Sequence, residues 1–441
     1  MTESQASEIT PFTFNSDGTK VWNLSQLLDK VKEIEDEEFQ TYLHEGKNHF
    51  SNWIRDSLEN YELADFIEQI DNKEEFVTIL ESFLQNKEAP KKEPTIKADT
   101  NYRPQKARES STDDVLSAVK ATVHQQIVNQ MIAEIEKVVI GQSESIRTVI
   151  ISVISNAHSL LEGVPGLAKS LLVESFTRVI SDTSFRRIQF VPDMLPSDIL
   201  GGEIYNPKTS EFKTIKGPIF ANFILADEIN RAPPKTHAAL MECMQEKKVN
   251  IGKEEFILDK PFLVQATMNP LENKGTYELP EAILDRFMFK INLDYPDRQS
   301  EMKIITDNAT VRRSAIDKNL NYKIVKDKIL EIQQDVKKIY ISEPVKEYIL
   351  NIIAATRGLN DSIEGRRFIK YGAGPRAAIY LGLGSQAVAL THGRNYVIPE
   401  DVTYVCKPIL RHRLALNFKG KAHAISTDKI IDEILSKIDA V

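Results

Sequence analysis

Residues 160–173 constrain the fold of this chain more than any other segment. An apolar stretch leads through a Gly/Pro-rich turn into a helical pattern that opens on Lys169 and Ser170. This strand–loop–helix order is typical of a phosphate-binding loop, because glycines let backbone N–H groups converge on an anion and the helix N-terminus adds its positive dipole end. Lys169 would supply charge for the β/γ-phosphates and Ser170 a hydroxyl for Mg²⁺. The predicted loop contacts are Gly163, Val164, Pro165, Gly166, Leu167, Ala168, Lys169 and Ser170.

Ala168 stands where this pattern usually has a glycine. A methyl group is tolerable there if the residue has helical dihedrals, so the change weakens the match to the pattern more than it weakens the physical argument. Lys169 in the first helical turn opposes the macrodipole, which costs about a few tenths of a kcal/mol unless an anion is bound. The alternative is a glycine-rich turn that merely joins a strand to a helix. The position of the lysine favours the phosphate-binding interpretation.

A second apolar run, residues 223–226, is followed by Asp227 and Glu228. Such a run predicts a buried parallel strand, and ligands of open α/β sheets bind at the carboxyl ends of the strands. Asp227 is placed to hold Mg²⁺ through its water shell, and Glu228 to polarise an attacking water. A strand that simply ends in an acidic turn is the alternative. The presence of Lys169 and Ser170 earlier in the chain disfavours it.

Three further polar residues stand at predicted element ends. Asn269 follows a buried-strand run and could orient the attacking water or touch the γ-phosphate. Arg286 either pairs with its neighbour Asp285 or reaches the phosphate of another subunit. Arg376 falls in the first turn of a predicted helix, where a cation opposes the dipole and a nearby anion is the natural compensation.

The run Val139-Ile140-Gly141-Gln142 separates two predicted helices ahead of the phosphate loop. From these residues alone a simple helix–helix turn is the favoured interpretation.

The rest of the sequence predicts four parts: a helical bundle over residues 1–85, with a polar tail up to about residue 20; a flexible Pro-, Lys- and Glu-rich linker over 86–113; an α/β domain over 114–295; and an α-helical part over 296–441. A long segment, residues 191–217, interrupts the α/β domain and is expected to be functional. Cys243 and Cys406 are expected to pack in the interior rather than form a disulfide or bind metal.

Composition excludes several classes of protein. With a net charge of −8, nonspecific nucleic-acid binding is not expected. No apolar run is long enough to span a membrane, and the N-terminus lacks the pattern of a signal peptide. We therefore expect a cytoplasmic protein.

From about residue 132 to 414 the chain resembles the MoxR family of AAA+ ATPases. The runs that carry the resemblance are residues 139–142, 163–170, 190–196, 217–220, 227–232, 275–287 and 374–376. The implied fold is an α/β P-loop NTPase domain with a parallel sheet and a helix-2 insert, followed by an all-α lid and preceded here by the small helical bundle on its linker. The insert corresponds to residues 191–217 and is implied to couple hydrolysis to a partner.

The resemblance also implies a function. The chain would hydrolyse ATP with Mg²⁺ in a homo-oligomeric, hexameric ring and remodel a client protein complex, with a von Willebrand factor A domain protein as a plausible partner. Val139, Ile140, Gly141 and Gln142 would hold the adenine. Asn269 looks like the first sensor, Arg376 the second, and Arg286 the finger that reaches the neighbouring subunit's γ-phosphate.

Two alternatives of other classes stay open at this point. The chain could be the motor subunit of a larger enzyme, of the chelatase or restriction type, in which hydrolysis drives another subunit's chemistry. It could also be a nucleotide-gated scaffold that binds ATP and assembles with negligible turnover. Steady-state ATPase activity would separate the scaffold from the other two.

Overall fold

The computed structural model describes residues 10–43, 48–58, 60, 63–64, 67–68, 70, 72–88, 112–208, 210–269, 277–307, 320, 322–358 and 364–440; for 82, 85–88 and 112–118 the backbone alone is described. The chain divides into two compact units. The first extends to Gln125 and includes His392–Asn395, and the second comprises Gln126–Thr391 and Tyr396–Val441.

The first unit combines short helices with a small hairpin. Its elements are β1 (Phe12–Thr13), β2 (Lys20–Val21), α1 (Leu24–Glu33), α2 (Asp36–Thr41), α3 (His49–Ser57) and α4 (Lys73–Glu88). Phe50 is fully buried and its ring lies 4.9–5.5 Å from those of Phe12, Tyr42, Phe39 and Phe76. The prediction of a loose tail up to residue 20 is therefore wrong for residues 10–20, because Phe12 in the hairpin completes this aromatic core.

Helix α5 (Thr112–Glu136) belongs to both units, because the first unit extends to Gln125 and the second begins at Gln126. This helix confirms the predicted helical spacing ahead of residues 139–142. Most of the predicted linker, residues 89–111, lies outside the described residues, and the four-part division of the chain stays a prediction.

The first part of the second unit alternates helices and strands. In chain order its elements are α6 (Ser143–Ile154), β3 (Ser159–Glu162), α7 (Lys169–Val179), β4 (Ile180–Ser181), β5 (Phe185–Gln189), α8 (Pro196–Leu200), β6 (Gly201–Asn206), β7 (Glu211–Lys216), β8 (Phe223–Asp227), α9 (Pro234–Glu246), β9 (Lys248–Ile251), β10 (Glu254–Ile257), β11 (Leu263–Met268), α10 (Glu281–Leu284) and β12 (Phe289–Asn292).

A five-stranded parallel sheet organises this part, with strand order β12-β3-β11-β8-β5. Glu162 at the end of β3 is level with Met268 on β11 and Asn292 on β12, and Asp227 on β8 is level with Gln189 on β5. The carboxyl ends of all five strands therefore meet at one edge. The register confirms the predicted parallel sheet and brings the phosphate loop and the acidic pair to the same edge.

Both faces of the central strands are covered, which is why β8 is an apolar run up to Asp227, whereas the edge strand β5 carries exposed polar side chains. Along β8, Phe223 and Leu225 pack into one core, while Ile224 and Ala226 pack into another. The first core continues into the lid, and the second lies under α8 and α9. Alternate side chains of a strand point to opposite faces, so one continuous apolar run serves two cores.

The segment predicted as an insert, residues 191–217, forms α8 and the antiparallel hairpin β6–β7. The hairpin carries Ile204, Tyr205, Phe212 and Ile215 exposed to solvent, and the rings of Tyr205 and Phe212 lie 5.3 Å apart. A second antiparallel hairpin, β9–β10, follows α9.

The lid is helical, as predicted. Its elements are α11 (Arg298–Asp307), β13 (Ile324–Val325), α12 (Lys326–Val336), α13 (Glu343–Thr356), β14 (Ile369–Tyr371), α14 (Pro375–Thr391), α15 (Pro399–Leu410), β15 (Ala415–Leu416), α16 (Phe418–Ala422) and α17 (Thr427–Lys437). Cys243 and Cys406 are both buried free thiols, as predicted, and burial raises the pKa of each to about 12. Among the described residues, no helix combines the length and apolar content needed to cross a membrane.

Candidate active site

The predicted phosphate loop connects the end of β3 to the start of α7. Gly166 has a φ of 91°, which glycine adopts without a steric cost. Ala168 caps α7 with φ 58° and ψ 23°, in the left-handed region. The condition under which a methyl group would be tolerated at Ala168, helical dihedrals, is therefore not met. The methyl group is accommodated at a conformational cost of about 1–2 kcal/mol, because the left-handed region brings Cβ close to the following carbonyl.

Lys169 is the first residue of α7, as the loop pattern requires. Its Nζ donates hydrogen bonds to the carbonyl oxygens of Gly163 and Met268, the second at 3.2 Å. These carbonyls belong to the ends of β3 and β11. Backbone oxygens thus compensate the cation at this end of the helix dipole.

Ser170 and Asp227 come together across the sheet edge. The Ser170 hydroxyl donates to Asp227 Oδ2 at 3.4 Å, and the Thr267 hydroxyl donates to Asp227 Oδ1. Arg187 on β5 also donates to Asp227 Oδ2, from Nε at 2.9 Å and from Nη2. The carboxylate of Asp227 is buried and is bonded by side chains from three neighbouring elements.

The donor atoms at this point fit a magnesium ion. Mg²⁺ takes oxygen ligands, and the Ser170 hydroxyl and the Asp227 carboxylate supply them side by side. Arg187 places a competing positive charge on the same Asp227 oxygen. A metal ion bound there would share or displace the contact with Arg187.

Glu228 follows directly on Asp227 and has a φ of 56°. Its backbone N–H donates to the Thr267 hydroxyl at 2.9 Å, which fixes the turn after β8. Its Oε2 accepts from Gln189 Nε2 at 2.8 Å and lies 3.1 Å from Arg231 Nε. Two donors therefore hold the carboxylate of Glu228.

Asn269 follows β11 and is buried. It continues the strand whose Met268 carbonyl accepts from Lys169 and from the N–H of Gly163. The predicted position of Asn269 at the carboxyl edge of the sheet is thus observed. Pro270, Gly275 and Thr276 lie outside the described residues.

Residues 139–142 form the turn between α5 and α6, and Val139 is buried. Gly141 has a φ of 78°, and a Cβ there would lie 2.8 Å from side-chain atoms of Pro296 and Ser300. Gln142 donates from Nε2 to the Asp294 carbonyl at 2.7 Å. The turn is therefore fixed against the chain segment that leads into the lid.

Asp285 pairs with Arg376 and not with its neighbour Arg286. Arg376 Nη1 donates to Asp285 Oδ2 at 2.7 Å, so the anion expected beside Arg376 is a carboxylate of the same chain. Arg286 Nη1 donates instead to the Ala282 carbonyl, and the local Asp285–Arg286 pair considered from the sequence is not observed. Among the described residues, the buried Nε of Arg286 has no hydrogen-bond partner.

Sequence reasoning missed five residues of this constellation: Arg187, Gln189, Arg231, Thr267 and Arg413. Arg187 and Gln189 are two residues apart on one strand, and both reach the acidic pair at the end of β8. A polar i, i+2 pair on a predicted strand signals one face of that strand. Nothing in the sequence indicates which strand it will lie beside.

Comparisons with known proteins agree with this geometry. Residues 158–289 match the model of the ATPase family associated with various cellular activities (AAA), and residues 366–434 match the AAA lid domain. The chain is 40% identical over 323 residues to the chaperone MoxR1 of Mycobacterium tuberculosis, covering 72% of this chain and 83% of that protein. The chain belongs to the MoxR family of AAA+ ATPases.

Other relatives of this ATPase support the assignment. The protein MoxR of Methylorubrum extorquens is 26% identical over 296 residues, covering 64% of this chain and 86% of that protein. A crystal structure from Cytophaga hutchinsonii, provisionally described as that of an ATPase, is 43% identical with a TM-score of 0.67 and covers 75% of this chain and 100% of that chain. The resemblance and the α/β AAA+ fold expected from the sequence are confirmed.

Proposed function

We propose that this ATPase hydrolyses ATP to ADP and phosphate in a hexameric ring of identical subunits and, as a chaperone, remodels or matures a client protein complex. A protein with a von Willebrand factor A domain is the proposed partner, and the cytoplasm the proposed location. The observation that carries the proposal is the meeting of Lys169, Ser170 and Asp227 at the carboxyl edge of the parallel sheet.

The phosphates of ATP would lie over the loop of residues 163–168, whose N–H groups and helix dipole favour an anion. Lys169 would exchange its two carbonyl acceptors for phosphate oxygens. Ser170 and Asp227 would hold Mg²⁺, which supplies positive charge at the phosphates. The turn formed by Val139, Ile140, Gly141 and Gln142 would contact the adenine, because it is fixed beside the entrance to the lid.

Glu228 would accept a proton from, or polarise, the attacking water. The carboxylate of Glu228 is bonded to Gln189 and Arg231, so these two contacts would have to break before the carboxylate could bond the attacking water. Asn269 would orient the water. Arg376 would contact the γ-phosphate of its own subunit after leaving Asp285, and Arg286 would reach the phosphate held by a neighbour.

The hairpin β6–β7 would couple hydrolysis to the client. Its exposed Tyr205 and Phe212 form an apolar surface, and aromatic side chains are common contacts in protein–protein recognition. The helices of the first unit would dock a partner.

The variant Glu228→Gln tests the catalytic assignment. We expect it to bind ATP as the wild type does, while the rate of phosphate release falls about 10²–10⁴-fold, because the amide cannot take a proton. Binding is measured with a fluorescent ATP analogue, and turnover by phosphate release. Glu242→Gln, on the exposed side of α9, is the matched control and should hydrolyse at the wild-type rate.

Turnover of Glu228→Gln at the wild-type rate would remove this residue from the catalytic role. The same variant, captured with ATP bound, should retain the client, and mass spectrometry of the captured material identifies it. A variant without the Tyr205 and Phe212 rings would show whether the hairpin contributes to that contact.

A further inference from the structure

The guanidinium of Arg413 is directed at the segment that carries Arg286. Its side chain is 2% exposed. Nε donates to Asp285 Oδ1 at 2.9 Å, Nη2 donates to the carbonyls of Asp285 at 2.9 Å and Phe287 at 2.7 Å, and Nη1 donates to the Met288 carbonyl at 3.1 Å. One lid residue thus bonds the residues on both sides of Arg286.

Two other lid residues support the same contact. The ring of Tyr380 lies 5.0 Å from the guanidinium carbon of Arg413, and its hydroxyl lies 3.5 Å from the Arg286 carbonyl oxygen. The imidazole of His412 lies 3.0 Å from the Phe287 carbonyl oxygen through Nε2. The backbone around Arg286 is therefore held by the lid of its own chain.

The ATPase domain fixes this segment on one side more than on the other. Phe287 and Met288 are fully buried, so side-chain packing holds the chain after Arg286. The chain before Arg286 follows α10, a helix of four residues, and a cavity of about 740 Å³ borders Asp285 and Arg413. Where close packing is interrupted in this way, the hydrogen bonds from Arg413 hold Asp285.

Asp285 connects this anchor to a second arginine. Its Oδ1 accepts from Arg413, and its Oδ2 accepts from Arg376 in the first turn of α14. Arg376 is 41% exposed at its side chain, so it can leave Asp285 more readily than the buried Arg413 can.

We propose that Arg413 is the positioning residue of the Arg286 finger, and that Asp285 links the finger to Arg376. This rests on the proposed function, in which Arg286 acts on the nucleotide of a neighbouring subunit. When Arg376 turns to its own nucleotide, Asp285 keeps Arg413 as its partner. The lid that contacts the nucleotide of its own subunit through Arg376 therefore sets the position of the Arg286 finger at the nucleotide of the neighbouring subunit.

The variant Arg413→Lys separates positioning from folding. Lysine keeps the positive charge but is a point donor that cannot bond four acceptors as the guanidinium fork does. We expect its ATP affinity to stay within about twofold of wild type and its turnover to fall about 10²-fold, the effect of misplacing a reacting group by about 1 Å. The isosteric variant Asp285→Asn, which retains the acceptor oxygen Oδ1, should lose activity in the same direction.

The ATPase activity of rings mixed from two inactive variants tests the positioning role. A variant that is only misfolded would not regain activity in such a mixture. Arg413→Lys subunits, with an intact catalytic site, are mixed with Glu228→Gln subunits, whose finger is intact. In randomly assembled rings about a quarter of the sites combine the two intact halves, so turnover should recover to about a quarter of the wild-type rate. A mixed ring no more active than the sum of its components would overturn the proposal.

The matched control is Arg411→Lys, since Arg411 is a half-buried lid arginine that pairs with Asp428 and donates to the Lys290 carbonyl instead of the residues beside Arg286. It should turn over ATP at the wild-type rate. If Arg411→Lys also loses ATPase activity, and mixing with Glu228→Gln subunits restores that activity equally, then any loosening of the lid acts on the neighbouring subunit. That result would overturn the specific role of Arg413.

A second mixture distinguishes this inference from the proposed function. Arg286→Ala mixed with Glu228→Gln must complement if Arg286 is a finger at all. If that mixture recovers activity and the Arg413→Lys mixture does not, the positioning role alone is wrong. If neither recovers while each variant binds ATP, the finger assignment itself is wrong.

Discussion

Ala168 has a conformation that its side chain disfavours, at the residue that starts the helix of the phosphate loop. The loop needs a left-handed residue there so that the N–H groups of Lys169 and Ser170 turn towards the anion site. Glycine meets this need without a steric cost, and alanine meets it with strain. The departure from the usual loop pattern therefore has a conformational energy cost.

Replacing Ala168 by glycine should raise the free energy of unfolding by about 0.5–1 kcal/mol. Relief of the left-handed strain, about 1–2 kcal/mol, outweighs the greater freedom of glycine in the unfolded chain. Urea unfolding followed by circular dichroism measures the change. Ala168→Val, whose branched side chain fits this region worse, should lower the unfolding free energy. A destabilised glycine variant would show that residue 168 is right-handed in solution.

Arg413 shows what a buried charge can do at the scale of one residue. Burial lowers its pKa to about 10, yet it stays charged at neutral pH beside the Asp285 carboxylate. The free-energy cost of burying this charge is offset by hydrogen bonds to a carboxylate and to backbone carbonyls. The acceptors of this side chain include Asp285 and the Phe287 carbonyl, which flank Arg286.

Among the elements, the edge strand β5 does more than complete the sheet. Arg187 and Gln189 project from the same face and reach Asp227 and Glu228, because β5 and β8 are parallel and Gln189 is level with Asp227. The strand thus supplies one donor side chain to each carboxylate, Arg187 to Asp227 and Gln189 to Glu228. Metal binding and water activation would both require these contacts to change.

The variant Arg187→Gln should lower the Mg²⁺ concentration needed for half-maximal ATP hydrolysis, because it removes a cation that competes for Asp227 Oδ2. The ion pair is partly exposed, so the effect should be about twofold to fivefold, corresponding to about 0.5–1 kcal/mol. Magnesium titration of the steady-state rate at saturating ATP measures it.

Arg186→Gln is the control for this measurement, since Arg186 is exposed and points to the other face of β5. Its magnesium dependence should match the wild type. A higher magnesium requirement in Arg187→Gln would mean that Arg187 orders Asp227 for the metal instead of competing with it.

At the scale of the whole molecule, buried titratable groups link the stability of the second unit to pH. His158 lies against the centre of the sheet, where Nδ1 accepts from the Val264 N–H at 2.9 Å and the Lys247 ammonium lies 2.9 Å from Nε2. Burial, and then the charge of Lys247, hold the pKa of His158 well below its usual 6.5. The folded protein keeps this ring neutral under conditions where the unfolded chain would protonate it.

The sign of the pH dependence follows from this difference. Stabilisation from neutral His158 is complete above the unfolded pKa of 6.5 and is lost as the pH falls below it. We expect the free energy of unfolding to fall between pH 6.5 and 5, with His158 contributing up to about 1.4 kcal/mol per pH unit. Urea unfolding at several pH values measures the slope.

His158→Gln should reduce this slope, because glutamine does not titrate and its carbonyl can still accept from Val264. His423→Gln is the control at an exposed histidine and should leave the slope unchanged. If His158→Gln retains the full wild-type slope, the acid sensitivity arises elsewhere.

The sequence by itself determined the parts of this protein that local pattern specifies. The turn at residues 163–168, the helix that opens on Lys169 and the apolar run before Asp227 each specify an element. The rule that parallel strands present their carboxyl ends at one edge is enough to bring Ser170 and Asp227 together. The observed contact of 3.4 Å between them agrees with that reasoning.

Only the tertiary structure decided which partners the charges take. Asp285 pairs with Arg376, 91 residues away, and with Arg413, 128 residues away, and not with its neighbour Arg286. Asp227 pairs with Arg187 because two strands lie side by side. The hairpin that buries Phe12 and the left-handed Ala168 were likewise set by their surroundings. Which charges and aromatic rings pair depends on the distance between them in the folded protein, whereas a sequence pattern gives only their separation along the chain.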